Sequence, residues 1–177
     1  FLAHKKIKLL KEKKIMFNYK PILLGGLHNL EGITAPAFIK SKLNHMITDC
    51  ELIAKKNNII FKWNSKFPIN SLNLMRGYLL IDVNYKDLFL DIMFDAYWKD
   101  NIDISDEKEL MNLILKCKID KKKFMIGIKD QKIKDDLKKN TKEAHKNNIF
   151  GAPTFVINKK IFWGQDRLDF ALDEYFK

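Results

Sequence analysis

The residues best suited to bind a ligand lie near the end of the chain. Pro153 stands immediately before a β-rich apolar run, where it cannot donate a hydrogen bond to a strand ladder and where it restricts Ala152 before it. If the Ala152–Pro153 peptide bond is cis, the turn exposes backbone groups of Ala152 that can pair with an extended, peptide-like ligand. The alternative is a trans bond in an ordinary loop that starts a strand.

A second candidate group follows about ten residues later. Trp163 and Gly164 lead into the last helical segment, which begins with Gln165 and Asp166. An amide and a carboxylate in this place can accept hydrogen bonds from an α-ammonium group, and the backbone amides of the first turn attract a carboxylate. The alternative is that both side chains only cap the helix.

Arg76 is a candidate for binding a carboxylate in the middle of the chain. It is one of only two arginines, and its planar guanidinium is suited to bidentate binding. An ion pair within the protein is the alternative. The four histidines and two cysteines give no metal-ligand spacing. With no CxxC pair, and with Cys50 and Cys117 far apart, a disulfide framework is not expected, and a reducing compartment is the natural setting.

Composition indicates a folded chain with a basic surface. The 177 residues are 46% hydrophobic and carry a net charge of +11, which fits one domain or one domain with an insertion. The charge comes from lysines spread along the whole chain, and this dispersal favours a solvated surface over nucleic-acid binding. No apolar run approaches the length of a membrane span, and the start does not resemble a signal peptide. We therefore expect a cytoplasmic protein without membrane or nucleic-acid partners.

Hydrophobic periodicity predicts the elements that must position these residues. Ser105 is a plausible N-cap for the helix that follows it. Asn158 and Lys159 are predicted to connect two strands as a hairpin. The predicted helices are about 1–14, 37–57, 71–82, 85–99, 106–117, 121–127, 130–147 and 166–177, the strands 15–24, 154–157 and 160–163, and residues 25–36 a loop.

The order of these elements predicts an α+β fold. The residues with strand propensity lie at the two ends of the chain, and a long helical block lies between them. Such an arrangement is typical of a small mixed sheet opened by a helical insertion.

Several motifs, in order along nearly the whole chain, resemble one protein group. The group is the thioredoxin-like one that holds 2-hydroxychromene-2-carboxylate isomerases, kappa-class glutathione transferases and DsbA-like oxidoreductases, and the isomerase branch is the most similar. The motifs are residues 20–26 (KPILLGG), 67–72 (FPINSL) with 76–77 (RG), 96–98 (AYW) with 103–106 (DISD), 150–155 (FGAPTF) and 162–168 (FWGQDRL).

The resemblance implies a thioredoxin-like domain of residues 1–35 and 120–177, with a large all-helical insertion at 36–119. It also favours a cis Ala152–Pro153 bond and implies glutathione as the cofactor. Ala152 beside Pro153 would pair with the cysteinyl part of glutathione, and Gln165 and Asp166 would hold its γ-glutamyl end. Trp163 and Gly164 would shape the turn.

The resemblance further implies a reaction. The thiolate of glutathione would add to an aromatic-derived or unsaturated acid and later leave, so that the bond can rotate and isomerise. The candidates for binding this acid are Lys62, Trp63, Asn70 and Arg76. Relatives of the fold often pair, so we expect a homodimer.

Two departures from the family pattern stand out. The loop after the second strand often carries an asparagine, but here Ile33 stands in its place. Asn29 or Thr34 could substitute, and a solvated loop without a binding role is the alternative. In addition, residues 1–3 resemble the end of a motif that places a serine, which stabilises the thiolate, just before the first helix. We therefore expect that serine, and the first strand, upstream of Phe1 in a longer protein; loss of the serine is the alternative.

Two other functions stay open at this point. A DsbA-like disulfide oxidoreductase needs a reactive cysteine at the start of the first helix, and the present residues supply none. A non-catalytic thioredoxin-like module that binds an acidic partner through its lysines is the other alternative.

Overall fold

The computed structural model describes residues 1–11 and 14–177. Within these ranges the chain is largely helical, with one β-hairpin near its end. Short 3-10 helices at Pro36–Phe38 and Gln165–Arg167 precede two of the α-helices. The elements are α1 (Leu2–Lys11), α2 (Leu24–Glu31), α3 (Lys40–Lys56), α4 (Leu72–Leu80), α5 (Val83–Trp98), α6 (Glu107–Lys116), α7 (Lys121–Gly127), α8 (Gln131–Lys146), β1 (Thr154–Ile157), β2 (Lys160–Trp163) and α9 (Leu168–Tyr175).

The hairpin confirms the prediction at residues 154–163. β1 pairs antiparallel with β2, with Thr154 opposite Trp163 and Ile157 opposite Lys160. Both connecting residues have positive φ, 50° at Asn158 and 65° at Lys159. This is the backbone that a two-residue turn needs to match the twist of the flanking strands.

The strand predicted at residues 15–24 is wrong for the described structure. Side chains do alternate between half-buried and exposed from Ile15 to Lys20, but no described segment forms a ladder with them. The backbone is held by side chains of α8 instead: Thr141 Oγ1 accepts from the N–H of Leu23 at 2.9 Å, and Asn140 Nδ2 donates to the carbonyl of Pro21 at 3.2 Å. An alternating pattern predicts an extended segment, and a hydrogen-bonded neighbour is needed to make it a strand.

The loop predicted at residues 25–36 is also wrong in its first part, because α2 occupies it as far as Glu31. Two glycines lower helix propensity, yet the fully buried Leu27 and the contact of α2 with α8 favour the helix. The helix ends at Gly32, whose φ of +66° is the left-handed conformation of a C-terminal cap.

Three helix starts differ from the predictions in detail. Asp106 caps α6 by accepting from the N–H of Glu109, whereas Ser105 bonds to Asp103, so the predicted Ser105 cap is wrong. The helix predicted from residue 37 begins with a 3-10 turn, and α3 starts at Lys40. The last helix likewise begins as a 3-10 turn, and α9 starts at Leu168. The helix predicted at 121–127 has the observed bounds.

Two hydrophobic clusters form the interior. The smaller one packs α1 and α9 against the hairpin, through Ala3, Ile7, Phe155, Leu168 and Ala171. The larger one lies among α4 to α7 and includes Phe89, Phe124 and Ile128, so residues beyond 120 also contribute to the helical core. The division of the chain at residues 35 and 120 stays a prediction. None of the described helices is long and apolar enough to cross a membrane.

Candidate functional site

The turn before β1 carries the first group of candidate residues. The Ala152–Pro153 bond is cis, which confirms the prediction. The turn is held at two points: the carbonyl of Pro153 accepts from the N–H of Gly164 at 2.9 Å, and Thr154 Oγ1 donates to the carbonyl of Gly151 at 2.7 Å. The first of these bonds brings the turn against the end of β2, so the two groups of candidate residues lie side by side.

The backbone of Ala152 is available to a ligand. Ala152 and Pro153 are both exposed. In the part of the chain that the structure describes, neither the N–H nor the C=O of Ala152 has a hydrogen-bond partner. Backbone groups normally pair with backbone, side chain or solvent, so an exposed pair beside a strand can bind the backbone of an extended ligand.

The indole of Trp163 forms one wall of the candidate site at the Ala152–Pro153 turn. Its ring packs on that of Phe150 with 5.0 Å between centroids, yet 53% of the residue remains exposed. A Cβ on Gly151 would lie 2.5 Å from Trp163 Nε1, so only glycine permits this position of the indole. A half-exposed aromatic ring held in place is suited to contact a ligand.

Gln165 and Asp166 follow at the next turn. Gly164 has a φ of +112°, a conformation that side chains rarely adopt, and it redirects the chain from β2 into the 3-10 helix. The side-chain Oε1 of Gln165 is buried and has no hydrogen-bond partner among the described residues. The side chain of Asp166 is 57% exposed and forms an ion pair with Arg167 at 3.5 Å.

The capping alternative for these two residues finds no support. Neither the 3-10 helix nor α9 has a side-chain hydrogen bond at its N-cap. The segment after β2 therefore holds a buried amide oxygen without a described partner and an exposed carboxylate that pairs with Arg167.

α1 lies against this group of residues. It contacts the 3-10 helix of Gln165–Arg167, and its Ala3 and Ile7 pack with Leu168 just beyond that helix. Its first turn also reaches the helical part of the molecule, since the ring of Phe1 lies 6.1 Å from that of Phe61. α1 thus connects the turn at Pro153 with the aromatic segment at residues 61–67.

Trp63 belongs to a cluster of aromatic rings that the sequence only partly indicated. Its ring lies 4.7 Å from that of Phe67 and 5.5 Å from that of Trp98, and Phe61 stacks on Trp98 at 5.7 Å. The members are only half-buried. The proximity of Phe61 to Trp98 was not predicted, because Trp98 comes from α5; the density of aromatic residues at 61–67 was the available signal. Lys62, which stands between Phe61 and Trp63 in the sequence, has an exposed side chain.

Asn70 and Arg76 differ in how their side chains are used. Asn70 Oδ1 accepts from the N–H of Leu72 at 3.0 Å, so its amide stabilises the start of α4. Arg76, half-buried on α4, forms no ion pair in the described part of the chain, and its Nε is buried without a hydrogen-bond partner there. The intramolecular ion pair considered for Arg76 is therefore absent from the described residues. Among the described residues, no hydrogen bond joins the side chain of Asn70 or Arg76 to Trp63 or to the turn at Pro153.

Two further predicted positions lie on or just after α2. Asn29 is on α2, and Thr34 lies in the segment after it, and both are exposed. The expected serine, upstream of Phe1, lies outside the sequence.

The sequence matches one protein family over nearly its whole length. A family model described as a DsbA-like thioredoxin domain matches residues 1–176. The chain therefore belongs to the DsbA-like thioredoxin domain family, and the predicted thioredoxin-like fold, mainly helical with a small sheet, is confirmed.

Two similar proteins carry the same name. A 2-hydroxychromene-2-carboxylate isomerase of Sphingobium xenophagum is 24% identical over 162 residues, which are 90% of this chain and 82% of that protein. A solved structure of a 2-hydroxychromene-2-carboxylate isomerase matches with a TM-score of 0.88 and 21% identity, and the match covers 99% of this chain and 87% of that one. At that identity the structural likeness supports the fold alone.

Proposed function

We propose that this protein is a glutathione-dependent enzyme, an isomerase of the 2-hydroxychromene-2-carboxylate type or a closely related glutathione transferase. The observation that carries the proposal is a set of polar groups around one turn: the Ala152 backbone without a described partner, the buried and unpartnered Oε1 of Gln165, and the exposed carboxylate of Asp166, which pairs with Arg167. The hydrogen bond from the N–H of Gly164 to the carbonyl of Pro153 holds the turn against the end of β2. The family membership and the isomerase relatives support the same reading.

These groups fit glutathione by their chemistry. The N–H and C=O of Ala152 complement the N–H and C=O of a cysteinyl residue in an extended tripeptide. Gln165 Oε1 and the Asp166 carboxylate are acceptors, and they complement the α-ammonium group of the γ-glutamyl end. Trp163 offers an apolar wall beside the tripeptide, and Pro153 and Gly164 give the turn its shape.

The acceptor acid would bind on the aromatic side of the site. The half-buried rings of Phe61, Trp63 and Trp98 form an apolar surface next to the first turn of α1. A planar, aromatic-derived acid can stack on such a surface, and Lys62 offers a cation for its carboxylate. Arg76 remains a candidate because its guanidinium forms no ion pair in the described residues. Asn70 is a weaker one, since its amide oxygen is already used.

Bound glutathione would supply a thiolate that adds reversibly to an electrophilic carbon of the acid and leaves again. The chain's own residues would bind and orient both molecules: Ala152, Gln165 and Asp166 the tripeptide, and the aromatic side the acid. The serine expected upstream of Phe1 would donate a hydrogen bond to the sulfur and so keep it deprotonated.

The thiols of this chain do not favour the oxidoreductase alternative. Burial raises the pKa of Cys117 to about 12 and also raises the pKa of Cys50. A reactive cysteine needs the opposite, a depressed pKa, because the thiolate is the nucleophile. Neither cysteine has the character of a redox centre.

Titration calorimetry with reduced glutathione tests the proposal. We expect saturable binding in the millimolar range or tighter. Asp166→Ala should weaken it by about 1 kcal/mol, or roughly fivefold, since the side chain is exposed and an exposed charge contributes little. Asp169→Ala, a nearby exposed carboxylate on α9, is the matched control and should bind like the wild type. Absence of saturable binding at millimolar glutathione would contradict the proposal.

The partner state is a separate part of the proposal. We propose a homodimer, which light scattering on the purified protein would test. A monomer at micromolar concentrations would contradict it without affecting the glutathione assignment.

A further inference from the structure

His4 is a buried histidine that joins α1 to α5. Only 5% of it is exposed, and its ring stacks on that of Phe94 with 5.0 Å between centroids. Its Nε2 lies 2.8 Å from Asp91 Oδ1, and the other oxygen of Asp91 accepts from Lys8 Nζ at 2.6 Å. One turn along, Lys5 pairs with Asp95 at 2.5 Å. His4 is the buried member of a set of polar contacts between the two helices.

The hydrogen bond to Asp91 determines which ring nitrogen of neutral His4 carries the proton. Burial raises the pKa of Asp91, but the hydrogen bonds from Lys8 and His4 outweigh it and the pKa lies below its usual value. The carboxylate therefore accepts, and Nε2 must donate. Nδ1 is then unprotonated and carries a lone pair, and this atom is buried without a hydrogen-bond partner among the described residues.

We infer that His4 is a pH-sensitive positioning residue, whose neutral form holds the start of α1 against α5 and whose protonation loosens that contact. Protonation would place a new N–H donor at Nδ1, where no described group accepts it, and a buried unsatisfied donor is costly. The effect on ligand binding rests on the function proposed above, because α1 packs behind the glutathione residues through Ala3, Ile7 and Leu168.

Burial and the charges around His4 determine whether lower pH raises or lowers the stability of the protein. Burial is the main cause that lowers the pKa of His4; the hydrogen bond and the charge of Asp91 raise it, and the charge of Lys5 lowers it. Lys8 and Asp95 face the same contact, and the ring of Tyr19 lies 6.3 Å away. The folded pKa is thus below the usual 6.5. The folded state binds fewer protons than the unfolded one, so stability is lost as the pH falls below 6.5 toward the folded pKa.

Denaturant unfolding of the full chain between pH 8 and pH 5 tests the inference. His4→Gln keeps an N–H for Asp91 and cannot be protonated, so we expect it to lose less stability on acidification than the wild type. The difference is bounded at about tenfold in the unfolding equilibrium per pH unit, the limit for one proton. His45→Gln, at an exposed position on α3, is the control and should behave like the wild type.

The comparison of these variants also removes the titrations that all three proteins share. Only the difference between the wild type and His4→Gln reports the histidine. Equal pH dependence of the two would overturn the inference.

Two further measurements keep the test decisive. If His4→Gln does not fold, Asp91→Asn is measured in its place. Asp91→Asn removes the charge that raises the pKa of His4, so the loss of stability on acidification should extend to lower pH. An unchanged or smaller loss would overturn the inference. Glutathione affinity at pH 7.5 and 5.5 is the second readout, and it should fall more in the wild type than in His4→Gln. A wild type that binds no glutathione at either pH contradicts the proposed function alone, while the unfolding comparison still tests His4.

Discussion

The turn at residues 151–166 and the segment at residues 59–71 differ in whether their buried polar groups have hydrogen-bond partners. In the second segment, Asn64 is almost completely buried, and its amide donates to the carbonyls of Tyr97 and Ile102 and accepts from the N–H of Lys66. All of its amide groups are used to hold the segment on the end of α5. In the first, Gln165 Oε1 is buried with no described partner.

The aromatic residues show the same contrast. Trp98 is surrounded by the rings of Phe61, Trp63, Phe67 and Tyr97, whereas the indole of Trp163 contacts Phe150 and remains half-exposed. Side chains whose partners are all within the protein stabilise the structure, whereas polar or aromatic side chains that are held in place but lack such partners are suited to bind a ligand. Substitution of the buried polar groups at residues 59–71 should therefore change stability, whereas substitution in the turn at residues 151–166 should change glutathione binding.

The largest effect on stability is expected for Asn64→Leu. Leucine has a similar volume but leaves two carbonyls and one N–H without partners, which should lower the free energy of unfolding by about 3 kcal/mol. Urea unfolding followed by fluorescence measures it. Glutathione affinity of the remaining folded protein should be unchanged. A loss below about 1 kcal/mol would show that solvent replaces these bonds.

Gly151→Ala should affect binding more than stability. The new Cβ would lie 2.5 Å from Trp163 Nε1, so the indole must move from the wall of the candidate site. We expect glutathione affinity to fall at least about tenfold, with a stability loss of about 1 kcal/mol from the displaced ring. Ala152→Gly, which leaves the indole in place, is the comparison variant. Unchanged affinity of Gly151→Ala would separate Trp163 from the binding site.

A smaller effect is expected at the start of α6. Asp106→Ala removes the acceptor for the N–H of Glu109 and should cost about 1 kcal/mol, the usual value of an N-cap. Ser105→Ala should cost less, since Ser105 does not cap the helix. Thermal unfolding of both variants measures the difference, and glutathione binding should not change in either. The reverse order of stabilities would restore the assignment of the cap to Ser105.

The smallest effect at neutral pH is expected for Glu174→Gln. Glu174 links α9 to β2 through Lys160 at 2.8 Å and also pairs with Lys177 at 3.2 Å, and these hydrogen bonds hold its pKa at about 2. A depressed carboxyl pKa stabilises the folded state above pH 4.5, and this contribution is lost as the pH falls toward 2. The stability difference between wild type and variant should therefore shrink between pH 4.5 and 2 in denaturant titrations. A stability difference between wild type and Glu174→Gln that does not change with pH would contradict this prediction.

Much of the fold followed from local pattern. The helix at 121–127 and the hairpin at 154–163 were predicted with the observed bounds, because periodicity and turn chemistry are local properties. The segment at 15–24 and α2 were mispredicted, because a strand needs a neighbour and a glycine-containing helix needs a partner surface. Neither is visible in the order of residues.

The candidate site divides in the same way. The residues around Pro153 and Gln165 were proposed from the sequence, since their motifs are short and continuous, and the cis bond at Pro153 was among the expectations. Their state was not predictable: that Gln165 Oε1 lacks a partner, that Asn70 is used by α4 and that Arg76 forms no ion pair in the described residues depend on what packs around them. In the sequence, His4 was only one of four histidines without metal-ligand spacing, and its contact with Asp91, 87 residues away, could not be inferred.

The sequence by itself determined the family, most of the helices, the hairpin and the motif residues of the candidate site, because these depend on residue type and short spacing. Only the tertiary structure decided which polar groups are satisfied and which remain free. Hydrogen-bond satisfaction and burial depend on partners that are distant in sequence, as Asn64 with Ile102 and His4 with Asp91 show. The difference in hydrogen bonding between the segment at residues 59–71 and the turn at residues 151–166 therefore comes from the tertiary structure.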